Sequence, residues 1–281
     1  MGSIKSGAFR RANFLFTALG VRQKGFYTPY SYLSSLPANS PSYPEVFDLI
    51  ERFRHRYEHM LGVMDAHEPY YLQTQSGDIV PNWTSSFLSP LDAACIYSFV
   101  AHFKPDRIIE IGSGNSTMFM SRAIADHGLN TKLQCIDPQP RIPIDRLPVE
   151  IVPRVLSIED VSTIASLQAG DILFVDSSHI LQPDFDVDII INRILPRLRP
   201  GVILHFHDIF LPFPYPTEWQ PYRFNEQNSL ISWLLTGRLE PMFASHYIWR
   251  EMKANLQAIC KGFPLHTPAN GGSLWLRVMG H

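Results

Sequence analysis

Hydrophobic and polar positions follow two regimes along this chain. Up to about residue 85 the pattern is broken. Residues 37–44 are rich in proline and stand next to an aromatic run. Over 45–64, Val46, Leu49, Ile50, Phe53, Tyr57, Met60 and Leu61 recur at helical spacing with charges between them, which predicts a helix packed on a neighbour. Ser89, Pro90 and Asp92 read as an N-cap, a first-turn proline and a capping acid for a helix reaching about residue 102. From Arg107 onward short apolar runs alternate with amphipathic ones. Strands are predicted at 107–111, 132–136, 149–153, 171–176 and 201–207, with helices near 116–126, 159–167, 184–197 and 226–236. Two further strands are expected near 242–248 and 273–279, the last entered through Gly271 and Gly272. Strands separated by helices imply βαβ units and a mostly parallel sheet covered on both faces. The expected division is an N-terminal, mainly helical extension over 1–85 and an α/β domain over 86–281.

The chemistry begins where the first strand ends. Glu110-Ile-Gly112-Ser113-Gly114 is followed by Asn115-Ser116-Thr117 at a helix start. Glycines let the backbone turn sharply and approach a ligand, and the helix start presents free N–H groups. Thr117 stands where a dinucleotide loop has its third glycine, and Glu110 places a carboxylate where a phosphate is unwelcome. Both favour a ligand with a cationic part and no phosphate, such as S-adenosylmethionine. A plain strand-to-helix turn is the alternative.

Composition narrows the classes. Lys+Arg 24 against Asp+Glu 26 gives a net charge of −2, which argues against a broad nucleic-acid surface. The 45% hydrophobic content supports a sizeable core. The three cysteines, 95, 135 and 260, have no metal-binding spacing, and a reducing cytoplasm fits them best. No stretch is long enough to span a bilayer. Residues 13–21 are apolar with basic flanks, but Arg22 and Lys24 follow at once and no small-residue cleavage site appears, so no cleaved leader is expected. The first six residues fit a permissive acylation pattern that an ordinary start also satisfies.

Ligands of a doubly wound sheet bind beyond the carboxyl ends of its strands. The second strand ends in Asp137, where a ribose diol is gripped in such folds. The fourth ends in Asp176-Ser-Ser-His179 and the fifth in His205-Phe-His207-Asp208. Carboxylates and imidazoles are metal ligands and proton carriers. His205 lies about 6.6 Å deeper along the strand than His207, a position that suits a hydrogen-bonded core residue.

With these motifs in order, the chain resembles the class I S-adenosylmethionine-dependent methyltransferases. Asp176 with His179 three residues on resembles the metal-assisted O-methyltransferases of catechols, sugars and macrolide sugars. The resemblance covers about residues 86–281. Residues 25–30 and 271–277 also resemble bacterial members that modify polysaccharides or natural products. It implies a Rossmann-like doubly wound α/β sheet, mostly parallel with an antiparallel edge strand. It also implies that Glu110, Gly112, Ser113, Gly114 and Ser116 line the methionine end, that Asp137 holds the ribose, and that Ser157 contacts adenine. Asp176, His207 and Asp208 would be metal ligands, with histidine where relatives carry a carboxylate or amide. Such a set admits Mn, Fe or Zn as readily as Mg. His179 falls at the general-base position. The acceptor would be a small molecule or sugar, with homo-oligomers possible.

Residues 211–219, with three prolines and Phe213, Tyr215 and Trp219, read as an acceptor wall or as a packed loop. A non-catalytic nucleoside-binding partner of the same fold is the competing class. A nicotinamide dehydrogenase fits less well, because Thr117 breaks the glycine pattern and no Tyr-x-x-x-Lys is present.

Overall fold

A computed structural model describes residues 12–22, 31–35, 42–73, 79–259 and 271–280. Residues 1–6, 25–30 and 37–41, together with Cys260, lie outside the described residues. The chain forms two compact units, 1–40 and 41–281. Helices α1 (Pro44–Arg52), α2 (Arg54–Ala66) and α3 (Glu68–Gln73) therefore belong to the same unit as the sheet, although they precede the boundary expected at residue 85.

The helix predicted over 45–64 is two helices broken at Phe53. The Ile50 carbonyl accepts from the Phe53 N–H at 3.1 Å and from the Tyr57 hydroxyl at 3.0 Å. That pairing tightens the turn and ends α1. Val46, Ile50, Tyr57, Leu61 and Met64 still face the core.

Helix α4 (Pro90–Phe103) starts as its sequence requires. Ser89 accepts the Asp92 N–H at 3.1 Å and Pro90 occupies the first position. Its residues 90–101 are all buried. The sheet follows: β1 (Arg107–Ile111), α5 (Asn115–Asp126), β2 (Lys132–Ile136), β3 (Glu150–Val152), α6 (Val161–Ala165), β4 (Ile172–Val175), a helical segment α7 over 186–197, β5 (Ile203–Phe206), α8 (Glu226–Leu235), β6 (Leu239–Ala244), α9 (Ser245–Glu251), α10 (Lys253–Ile259) and β7 (Leu274–Val278). Segment α7 is irregular, with a widened turn over Ile189–Ile194 and a tight one over Leu195–Arg197. Pro196 has no N–H for the regular helical ladder. The strand expected over 242–248 is displaced, because Ser245 starts α9 instead of continuing β6.

The strand order is β3-β2-β1-β4-β5-β7-β6. Pairings from β3 through β5 are parallel, while β7 is antiparallel to both β5 and β6. This is the Rossmann-like doubly wound α/β sheet that the sequence predicts, mostly parallel with one reversed strand. The reversed strand stands one position in from the β6 edge. From β1 the chain steps outward through β2 to β3, then returns to the other side of β1 for β4, so a crevice opens beyond the carboxyl ends of β1 and β4. Buried aliphatic runs of β1, β4 and β5 form the sheet's centre. Among the described residues no helix is long and apolar enough to cross a membrane.

Candidate active site

A cavity of about 490 Å³ opens at that crevice. Its wall includes Gly112, Ser113, Asp137, Asp176 and Ser178 on one side and Val155, Leu156 and Phe185 on the other. Gly112 has φ +77°. A Cβ there would stand 2.1 Å from the Asp176 carbonyl oxygen, so only glycine permits this approach of the β4 end. Gly114 is extended, and a Cβ there meets nothing within 4 Å.

Asp137 sits where the second strand end predicts it. One carboxylate oxygen accepts from the Ser113 N–H at 2.6 Å and the Ser113 hydroxyl at 3.0 Å, and the other from the Gln139 N–H at 2.7 Å. It therefore holds the glycine loop while facing the cavity.

Two expected contacts are placed differently. Glu110 is fully buried and lines no cavity described here. Its oxygens accept from the Ser116 and Thr117 hydroxyls at 2.6 Å each, and Thr117 also receives the Gly114 N–H at 3.0 Å. Glu110 thus fastens the helix start to the loop. Burial pushes its carboxyl up to about 7, against the lowering effect of Ser116, Thr117 and Cys135. Ser157 is turned to the Asp160 carboxylate, which Arg154 holds bidentately at 2.7 and 2.8 Å. The cavity is lined instead by its neighbours Val155 and Leu156. Ser116 reaches a smaller adjoining space, which Ser113, Gly114, Asp176 and His207 also line.

At the rim, the ends of β4 and β5 meet as their sequence motifs predict. Ligand atoms of Asp176, His179 and Asp208 lie within 4.8 Å of one another. His179 Nε2 is 3.4 Å from Asp208 Oδ2 and 3.8 Å from Asp176 Oδ1. A cation with bonds near 2.1 Å sets neighbouring ligands about 3–3.5 Å apart; the His179–Asp208 pair lies in that range and the His179–Asp176 pair just outside it. His179 and Asp208 both adopt left-handed backbone, φ +62° and +58°, a conformation that clusters at functional sites.

His179 thus joins the predicted Asp176, His207 and Asp208 as a second imidazole beside the same two carboxylates. His207 faces the same carboxylates from another side, its Nδ1 3.4 Å from Asp208 and 3.9 Å from Asp176. Among the described residues, neither of its buried ring nitrogens has a hydrogen-bond partner. Burial disfavours its charge, but Asp208 and Asp176 outweigh burial and hold it up to about 9. His205 is fully buried, 2.9 Å from the Ser273 hydroxyl and stacked on Phe174, as its depth predicts.

Glu226 is the residue that sequence reading missed. It is fully buried at the start of α8, and its carboxylate bonds His179 Nδ1 at 2.8 Å and the Ser177 hydroxyl at 2.8 Å. The chain passes 47 residues between the partners, and only its first-turn acidity in a predicted helix marked it. This bond aims Nε2 at the two aspartates. Burial opposes charge on His179, but Asp208 and Glu226 hold its pKa well above the ordinary imidazole range. The same carboxylates favour the protonated ring, and Glu226 fixes which nitrogen faces the rim. Beside it, Phe224 lies 5.1 Å away and packs against Tyr215 and Trp219. Gln227 pins the start of that aromatic loop through the Phe210 N–H and the Phe213 carbonyl.

Comparison with known proteins bears on this geometry. Residues 109–209 match the family model of a methyltransferase domain, a span from the glycine loop to just past Asp208. No curated protein matches the chain. Solved structures that resemble it include a putative O-methyltransferase from Klebsiella pneumoniae, at 14% identity over 78% of this chain and 90% of that one, with a TM-score of 0.41. An O-methyltransferase from Bacillus cereus in complex with SAH shows 14% identity over 76% and 91%, with a TM-score of 0.41. A putative methyltransferase from Thermobifida fusca shows 13% identity over 90% and 100%, with a TM-score of 0.43.

Proposed function

We propose that this chain is an S-adenosylmethionine-dependent methyltransferase that methylates a hydroxyl group on a small molecule or sugar, with help from a divalent metal. One observation carries the reading. Asp176 lines the cavity beside the glycine loop and also belongs to the Asp176–His179–Asp208 group, so a donor site and an acid–histidine site share a wall.

In this reading Asp137 grips the ribose while keeping Ser113 in place. Val155 and Leu156 cover the base, and the Gly112–Gly114 backbone lies against the methionine part. Asp176, Asp208 and His179 would hold the metal, with His207 beside them. The donor set of carboxylate and imidazole suits Mg, Mn or Fe. When bound, such a cation lowers the pKa of an acceptor hydroxyl and orients it. Glu226 keeps His179 in one orientation, whether its Nε2 binds metal or exchanges a proton with the acceptor. Phe224, Tyr215 and Trp219 offer flat faces beside His179 for a ring or sugar acceptor. Most of the rate would come from positioning the hydroxyl in line with the donor methyl.

Calorimetric titration with S-adenosylhomocysteine tests the donor site. Methyl transfer to a panel of catechols and sugars, with and without chelator, tests the rest. Binding without transfer to any acceptor would favour the non-catalytic nucleoside-binding alternative.

A further inference from the structure

We infer that a second ligand site lies at the opposite end of the sheet and takes a small oxyanion carried on an apolar body. A cavity of about 430 Å³ is bordered there by the side chains of His55, Arg56 and His59 from α2, His102 from α4 and Arg277 from β7. Met60, Phe103 and Met242 supply apolar surface to the same cavity. Arg277 pairs in register with Ile203, the first residue of β5, whereas the candidate active site lies beyond the last. The two cavities share no lining residue.

Charge decides the class of ligand. One carboxylate, Glu240, pairs with Arg56 and stands opposite Arg277 in the β6–β7 register. The nearby acids Glu51 and Glu58 are both engaged by Arg54. Arg277 is half-buried and makes no hydrogen bond or ion pair with its side chain among the described residues. A guanidinium has five N–H donors in a fork that fits an oxyanion. His102 is held below the ordinary imidazole range, first by burial and then by His59 and Lys104. His55 and His59, one helical turn apart with His102 across from His59, would otherwise read as a transition-metal site. Two guanidiniums in the same cavity oppose a divalent cation and favour an anion. The apolar side chains then distinguish an anion with a hydrophobic body from a bare one.

Calorimetric titration of the full chain with phenyl phosphate, with inorganic phosphate as control, tests this site. Saturating S-adenosylhomocysteine keeps the ligand out of the other cavity. Phenyl phosphate should bind more tightly than inorganic phosphate, and Arg277→Gln should weaken it about tenfold or more. His102→Gln, a change at an exposed position, should weaken it in the same direction should Arg277→Gln perturb β7. The inference is overturned by absent binding, by affinity unchanged in both variants, or by binding seen only when S-adenosylhomocysteine is left out. Stoichiometric zinc binding that His59→Ala abolishes, without phenyl phosphate binding, would overturn it in favour of a metal site.

Discussion

Gly112 and the carbonyl oxygen of Asp176 are in a contact that leaves no room for a side chain, since a Cβ on Gly112 would lie 2.1 Å from that oxygen. The Asp176 N–H in turn bonds the Ile111 carbonyl at 2.8 Å. The turn that shapes the donor cavity and the carboxylate at the rim are thus set by one close approach. Gly112→Ala should cost about 2 kcal/mol or more of stability, from the clash and from φ +77°. Denaturant unfolding measures it, and a cost under about 0.5 kcal/mol would mean that the β4 end yields freely.

Asp137→Ala should weaken S-adenosylhomocysteine binding by about 1.5–3 kcal/mol. It removes the expected ribose acceptor and also frees Ser113, whose N–H and hydroxyl both bond Asp137. Calorimetry gives the affinity. A wild-type value in this variant would sink the ribose assignment.

Manganese binding, followed by electron paramagnetic resonance of the free ion, separates the two histidines. Asp176→Ala, Asp208→Ala and His179→Ala should each reduce affinity by about tenfold or more, because their ligand atoms converge within 4.8 Å. His207→Ala should reduce it less. The reverse order for His179 and His207 would restore His207 as the metal's histidine.

Loss of His179 should also lower kcat by about 10²–10⁴-fold while S-adenosylhomocysteine affinity stays near wild type. Glu226→Gln should lower kcat in the same direction, because the 2.8 Å bond to Nδ1 is what aims the ring. A Glu226→Gln enzyme with wild-type kcat would remove Glu226 from the site.

Glu110 gives stability a pH signature. Its folded-state pKa is raised from 4.5 to about 7 by burial. A raised pKa means that the folded chain prefers the protonated carboxyl. The contribution is fully present below about 4.5 and is lost as pH climbs through 7, with a span on the order of 3 kcal/mol. Glu110→Gln cannot titrate, so the stability gap between variant and wild type should change between pH 4.5 and 8, moving in the variant's favour as pH rises. A gap independent of pH would show that folding leaves the Glu110 pKa unshifted, and a gap moving in the wild type's favour would show that the carboxylate is stabilised as charged.

The sequence by itself determined the order of strands and helices, the glycine turn, and the four strand-end motifs that carry the chemistry. Those are local properties: apolar periodicity, glycine's freedom and strand-end polar residues are written in neighbouring positions, and the sheet's order then follows from crossover rules. Tertiary structure alone decided where side chains spend their hydrogen bonds. Glu110 and Ser157 had the right places in the chain, but nearby hydroxyls and Asp160 claimed them. In sequence His207 stood as a metal ligand and His179 as the general base. A bond from Glu226, 47 residues away, fixed the ring of His179 beside the same two aspartates that His207 faces. The break at Phe53 came from the Tyr57 hydroxyl bonding the Ile50 carbonyl, a competition between partners that hydrophobic spacing does not encode. Orientation and desolvation depend on what packs from distant segments, so they exist only once the chain has folded.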